Sequence, residues 1–287
     1  MFKKIKLPSW LKLPPPPPLP VVCLWYVSNK INWGSSLRII SSSHFFWLIA
    51  ATIFFVASKL VSAFRLNIYF TNIQVYLGTG KNIFLYWLGM FYNLFLPGGI
   101  GGDAYKVILL NRRYNHPVKL LGAAVLLDRI SGVAGLGILA VTYFYLIHQG
   151  NHFSLLLLLA IVPGTLLYFY LVKIIFPSFL KGFWPTLWLG VAVQVLQVIC
   201  IWCIMNALHI SEHHTEYILI FLLSSIVAIL PFTIGGLGAR EIVFLWGSTQ
   251  FGLNKEESVG ISILFYLITV AISLIGVIWE YKDPLKE

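Results

Sequence analysis

Residues 96–106 read Leu-Pro-Gly-Gly-Ile-Gly-Gly-Asp-Ala-Tyr-Lys, and this stretch decides how the chain is organised. One proline and four glycines interrupt an apolar segment, and Asp103 and Lys106 follow at once. The pattern returns at residues 230–240 as Leu-Pro-Phe-Thr-Ile-Gly-Gly-Leu-Gly-Ala-Arg. Aligned without gaps, the copies share Leu, Pro, Ile, Gly and Gly, and both end on a cation, Lys106 or Arg240. They lie 134 residues apart, so the chain reads as two related halves.

The surroundings of the two breaks are those of a membrane protein. Of the 287 residues, 59% are hydrophobic and 10% charged. Soluble domains carry about 25% charged residues. The mean hydropathy is +0.84. In lipid every backbone polar group must be paired internally, which makes the expected fold an all-α, polytopic helical one. The formal charge of +10 is a topology signal. The cations are scattered between apolar runs and form no patch with stacking aromatics, so nucleic acid is not an expected partner. Cys23, Cys200 and Cys203 lie in apolar stretches and read as packing residues, the Cys200/Cys203 spacing included. No signal-peptide cleavage pattern is present.

Along the chain, residues 1–20 form a basic, Pro-rich segment with Lys3, Lys4, Lys6, Lys12 and five consecutive prolines, Pro14 to Pro18. The prolines exclude a regular helix there. The apolar run that follows, 21–27, is shorter than the ~20 residues a spanning helix needs. Five firm spans follow, at 44–64, 120–147, 153–172, 184–208 and 258–279, with Lys59 near the end of the first and a kink expected at Pro163-Gly164 in the third. Arg65 and Lys81 bracket a mixed segment at the interface. A mixed-charge cytoplasmic tail, 281–287, ends the chain.

Charge chooses the topology of the breaks. Segments 65–81 and 103–119 are basic, and a re-entrant hairpin at the first break keeps both inside. The flanks of the second break hold five acids (Glu212, Glu216, Glu241, Glu256, Glu257) against Arg240 and Lys255, and suit the outside. The two hairpins then enter from opposite faces, the pattern of an inverted repeat with a site between interrupted helices. With a sixth, N-terminal span counted before these five, both termini are placed inside. Two full spans in place of the hairpins are the alternative.

The residues expected to bind substrate are Pro97, Gly98, Gly99, Gly101, Gly102, Asp103 and Lys106 at the first break, and Pro231, Gly235, Gly236, Gly238, Arg240 and Glu241 at the second. Asp128 and Arg129, inside a span, complete the set. Asp103 is expected to be an N-cap, with Lys106 in the first turn behind it. A cation there opposes the helix dipole unless an anion binds, and a lipid phosphate is the anion expected in a bilayer. Asp128 and Arg129 are read either as functional groups or as structural ion pairs, Asp128 with Lys106 or Arg240 and Arg129 with Glu241. No catalytic residue, metal or cofactor is expected. Glu212, His213, His214 and Glu216 read as an exposed polar loop.

Three motifs carry a family resemblance: Asn93-Leu-Phe-Leu-Pro-Gly-Gly-Ile-Gly-Gly-Asp103, Val125-Leu-Leu-Asp-Arg-Ile-Ser-Gly132 and Leu230-Pro-Phe-Thr-Ile-Gly-Gly-Leu-Gly-Ala-Arg-Glu241. Together, over about residues 21–280, they resemble the membrane region of lysylphosphatidylglycerol synthase, the flippase-like family. The resemblance implies a lipid-handling membrane domain that moves a phospholipid between leaflets. It does not imply the synthase activity, whose cytosolic domain has no counterpart in these residues. The Pro14 to Pro18 run departs from the family's apolar first helix. The expected function is a flippase-like translocator of a phospholipid or other anionic lipid headgroup in the cell (inner, cytoplasmic) membrane. With no nucleotide-binding P-loop, movement would be passive or ion-coupled. The alternatives are an integral-membrane transferase, or an accessory subunit beside a lipid-modifying or glycosyl-transferring enzyme.

Overall fold

Long apolar runs become long helices, and their lengths decide which can cross a bilayer. The computed structural model describes residues 34, 41–95, 101–229 and 238–278. Among these the elements are helices and no strand is present. They are α1 (Phe45–Asn72), α2 (Thr79–Phe95), α3 (Gly101–Tyr114), α4 (Val118–Ile147), α5 (His152–Leu159), α6 (Ile161–Ile175), α7 (Phe183–Ala207), α8 (His214–Ala228), α9 (Ala239–Phe251) and α10 (Lys255–Leu274). Short 3₁₀ turns at Pro177–Gly182 and Ile275–Val277 precede α7 and follow α10. Five stretches are long and apolar enough to cross a membrane: α1, α4, α5 with α6, α7 with its 3₁₀ turn, and α10. The five expected spans are therefore present. The Pro-rich N-terminal segment, the motif residues 96–100 and 230–237 and the tail lie outside the described residues.

The first span is longer than its sequence reading. Expected to end at Phe64, α1 continues to Asn72, 28 residues in all. That is about 42 Å at 1.5 Å per residue. Leu66 to Phe70 is again mostly apolar, and no glycine or proline intervenes before Gly78. Arg65 is thus inside a span, not at its edge, and Lys59 lies at the middle of the helix instead of near its end. In the third span the break falls at Ala160, between α5 and α6. Pro163 has no N–H to give the carbonyl of Leu159, so the helix is interrupted just before it.

α1 and α7 run antiparallel along their full lengths. The His44 N–H donates to the Ala207 carbonyl at 2.8 Å at one end. Trp47 meets Trp202 edge-on, ring centres 5.4 Å apart. At the other end Tyr69 Oη donates to Thr186 Oγ1 at 2.9 Å. α4 lies against α7 where two glycines meet: a Cβ on Gly135 would sit 2.7 Å from the Gly190 carbonyl. Small residues at such crossings let apolar helices approach closely.

The order span, two shorter helices, span occurs twice, as α1–α4 and α7–α10. Asn72 and Ala207 end α1 and α7, and Thr79 and His214 open α2 and α8, both pairs 135 residues apart. Tyr114 and Phe251 end α3 and α9, and Val118 and Lys255 open α4 and α10, both pairs 137 apart. The ends of α1 and α7 are also built alike. Gln74 (φ 64°) and His209 (φ 60°) take the left-handed conformation. Val75 N–H returns to Phe70 O and Ile210 N–H to Met205 O, both at 3.0 Å. This is the Schellman closure, with a side chain where glycine is usual.

Two apolar cores result. One joins Phe55 of α1 to Phe221, Phe244 and Phe265 of the second half. The other holds Leu66, Phe70, Leu85, Leu110, Leu121 and Phe179. α5 and α6 lie outermost and leave Leu156, Leu159, Val162, Leu166 and Ile174 exposed. Large apolar faces of this kind suit lipid contact. Cys200 and Cys203 are buried free thiols on α7, as their packing reading requires.

Candidate functional site

The charges inside the bundle sort into two groups. The first is built on the α2–α3 hairpin. α3 starts at Gly101, so the two described motif glycines belong to the helix. A Cβ on Gly102 would come 1.9 Å from the Gly89 carbonyl oxygen, which brings the backbones of α2 and α3 into contact. Gly102 N–H donates to Asn93 Oδ1 at 2.8 Å, so Asn93 does the capping expected of Asp103. Asp103 instead sits within the first turn, buried, and takes two cations. Its Oδ1 receives Lys106 Nζ at 3.1 Å and its Oδ2 receives Arg129 Nε. The Lys106 stem fills the groove left by Gly89, and its ammonium sits 4.7 Å from the centre of the Tyr86 ring. Lys106 is 4% exposed, and thus sealed from any large ligand in this arrangement. The Arg129 side chain is 29% exposed and marks the open end of the network.

Asp128 and Arg129 are neighbours on α4, about 100° apart around the helix, and they point to different partners. Asp128 Oδ1 receives Arg65 Nε at 2.7 Å, both groups buried. The expected pairings, Asp128 with Lys106 or Arg240 and Arg129 with Glu241, are therefore corrected to Asp128 with Arg65 and Arg129 with Asp103. Asp128 ties α4 to α1 and Arg129 ties it to α3. Arg65 packs beside Gly132 and Gly190 at the α4–α7 crossing, where any larger residue would push on its guanidinium. Removing one partner of such a buried pair costs about 3–5 kcal/mol, because the other charge is left behind.

The second group is built on α8 and α9. Glu241 is buried and accepts the Gly238 N–H at 2.7 Å and the Ser262 hydroxyl at 3.0 Å. It holds the start of α9 against α10. Gly238 has φ 85°, a backbone state open to glycine and strained for other residues. Arg240, next in the chain to this carboxylate, turns away from it. Its Nη1 donates to Ser225 Oγ at 3.3 Å, and its guanidinium lies over Phe265 (4.8 Å) and Phe221 (5.7 Å). Among the described residues no carboxylate lies within 4 Å of it.

Of the expected site residues, Gly101, Gly102, Asp103, Lys106 and Arg129 come together, Asp128 adjoins them through α4, and Gly238, Arg240 and Glu241 form the second group. Pro97, Gly98, Gly99, Pro231, Gly235 and Gly236 lie outside the described residues. Among the described residues no three His, Cys, Asp or Glu side chains are placed to hold a metal ion. Glu212 and His213 are exposed, and His213 meets Glu216 at 3.3 Å.

The chain thus combines two buried-charge groups, a charged span between them and five candidate spans. The Lysylphosphatidylglycerol synthase TM region family matches the chain over residues 18–276. The chain belongs to this family. As one of its members it is a multi-pass integral membrane protein of lipid metabolism or transport. The match takes in every group described above, from Lys59 to Ser262. No curated protein matches the chain.

Arg65 and Lys59 are functional candidates that the sequence reading passed over. Arg65 is expected at an interface, as one bracket of the mixed segment that Lys81 closes. The usable signal was the second apolar run after it, unbroken by glycine or proline.

Proposed function

We propose that this protein is a flippase-like translocator that carries a phospholipid, or another lipid with an anionic headgroup, between leaflets of the cytoplasmic membrane. The observation that carries the reading is the state of Arg240. A guanidinium held by one serine and two aromatic faces, with no carboxylate within 4 Å among the described residues, is a site prepared for an anion. A lipid phosphate is the anion available at that depth. Headgroup passage between the halves, with acyl chains left in lipid, needs a polar path beside irregular backbone, which the membrane tolerates only where it lines protein or a cavity.

On this reading α2–α3 and α8–α9 are re-entrant hairpins. Their helices have 17, 14, 15 and 13 residues, or about 20–25 Å, short of the ~30 Å hydrocarbon core. The halves form an inverted repeat, a reading supported by the antiparallel packing of α1 on α7, its counterpart. Both termini face the cytoplasm by the charge of the connecting segments, which with five spans calls for one further crossing before α1. The domain boundaries are 1–20, 21–280 and 281–287. The partner is a membrane lipid with a phosphate headgroup, with a lipid-modifying enzyme beside it in the cell.

The test is a leaflet-resolved assay in proteoliposomes with fluorescent phosphatidylglycerol. The expected outcome is a transbilayer rate above that of empty vesicles, reduced at least tenfold in Arg240→Gln. Equal rates for the wild type and this variant would remove Arg240 from the path. A wild-type rate no higher than that of empty vesicles would overturn the translocator itself.

A further inference from the structure

Five cations lie within the bundle, Lys59, Arg65, Lys106, Arg129 and Arg240, against three carboxylates, Asp103, Asp128 and Glu241. Each carboxylate is already engaged. Asp103 takes Lys106 and Arg129, Asp128 takes Arg65, and Glu241 holds the start of α9 and Ser262. Among the described residues Lys59 and Arg240 remain without an acid within 4 Å. They are also neighbours in the fold. Lys59 Nζ stands 4.6 Å above the Phe55 ring. Phe55 meets Phe265 edge-on at 5.6 Å, and Phe265 in turn carries the Arg240 guanidinium at 4.8 Å. Phe221, which also faces Arg240, meets Phe265 at 4.9 Å.

Two like charges on one cluster of phenyl rings repel each other, and an anion between them relieves that repulsion. Three features define that anion. Both side chains are half-buried, so they are neither sealed nor open to bulk water. The Ser225 hydroxyl, which accepts from Arg240, keeps its own proton to donate. The phenyl rings offer no acceptor, so they leave the cations' remaining donors unsatisfied by the rings. A guanidinium that grips two oxygens, an ammonium on a third and a hydroxyl fit a tetrahedral oxyanion.

We propose that Lys59 and Arg240, with Ser225, form a phosphate clasp across the two halves of the chain, Lys59 from α1 and Arg240 and Ser225 from the α8–α9 hairpin. The clasp deepens the translocator reading and rests on it for the source of the phosphate, a lipid headgroup. Because the anion touches both halves, binding pulls α1 and α9 together and release lets them part. Lys59 then sets affinity, while the Asp103 and Asp128 pairs hold the frame.

The test uses purified full-length protein in dodecyl maltoside, titrated calorimetrically with dihexanoyl phosphatidylglycerol and separately with inorganic phosphate. The short lipid is expected to bind. Lys59→Gln and Arg240→Gln are each expected to weaken it about tenfold or more, as loss of a charge-assisted hydrogen bond does. Lys59→Arg is expected to retain most of the affinity. Unchanged affinity in Lys59→Gln would overturn the clasp. Tight binding of inorganic phosphate, with the lipid no better, would overturn the lipid source and leave an anion site. A second measurement needs no variant. Amine-reactive labelling of Lys59, read by mass spectrometry, is expected to fall when the short lipid is added, and equal labelling with and without it would overturn the clasp. The clasp and the translocator separate cleanly. Binding that depends on Lys59, with no transbilayer movement in vesicles, rejects translocation and keeps the clasp. Movement at wild-type rate in Lys59→Gln vesicles rejects the clasp and keeps translocation.

Discussion

The hairpins α2–α3 and α8–α9 start from matching sequence and end with opposite electrostatics. Lys106 and Arg240 occupy the same motif position. Lys106 is buried beneath Gly89 and tied to Asp103, so its charge is spent within the hairpin. Arg240 lies beside an acid in sequence but makes no ion pair with it, because Glu241 is turned back to hold the helix start. One copy has become a closed ion network and the other an open cation. A shared motif therefore specifies where a charge stands, while the neighbouring acid decides whether that charge braces the fold or meets a ligand.

The contrast is broken most severely at Asp103. Asp103→Ala leaves Lys106 buried without its acid and is expected to cost about 3–5 kcal/mol, seen as a large fall in the midpoint of thermal unfolding in detergent. A midpoint unchanged from the wild type would show that the first hairpin does not depend on its ion network. Next is Gly102→Ala, whose new methyl meets the Gly89 carbonyl, a backbone atom that cannot swing away. A destabilisation of about 1–3 kcal/mol is expected from overpacking. Gly122→Ala, where a Cβ has open space, is the matched control and should be silent.

Arg240→Gln should behave in the reverse sense. It removes two cation–aromatic contacts worth about 0.5–1 kcal/mol each where exposed, and relieves its repulsion with Lys59, so unfolding should shift little while translocation is lost. A stability loss as large as that of Asp103→Ala would place Arg240 among the braces and erase the contrast. The smallest effects are expected at the two matched helix ends. Gln74→Gly and His209→Gly each relieve a left-handed side-chain residue and should raise stability by up to about 1 kcal/mol, equally in the two halves. Unequal shifts would show that the halves do not close their first helices in the same way.

Much of the fold was legible because hydrophobic length is a one-dimensional property. All five spans follow from apolar runs, and the paired breaks fall between α2 and α3 and between α8 and α9. The ion pairs were not legible, because pairing depends on which helix face meets which neighbour. Asp128 finds Arg65 at a distance of 63 residues, and only the α1–α4 packing reveals it. Asp103 was misplaced by about one turn for a related reason. Glycine normally argues against helix, yet Gly101 and Gly102 are helical here because the α2 backbone presses on the second of them. The sequence places Lys59 near the end of the first span, and only the extension of α1 to Asn72 moves it to mid-helix.

The antiparallel pairing of α1 with α7 also sets a timetable for synthesis. Asn72 leaves the ribosome 135 residues before Ala207. At about 5–20 residues per second, the first helix waits on the order of ten seconds for its main neighbour. During part of that interval it carries Lys59 and Arg65 with no Asp128 yet made. A helix with two unbalanced cations is costly to leave in lipid, so the waiting period favours shelter at the insertion machinery until α4 and then α7 arrive. Chains arrested before residue 207 should stay bound to the translocon, and arrest after it should release them to the bilayer.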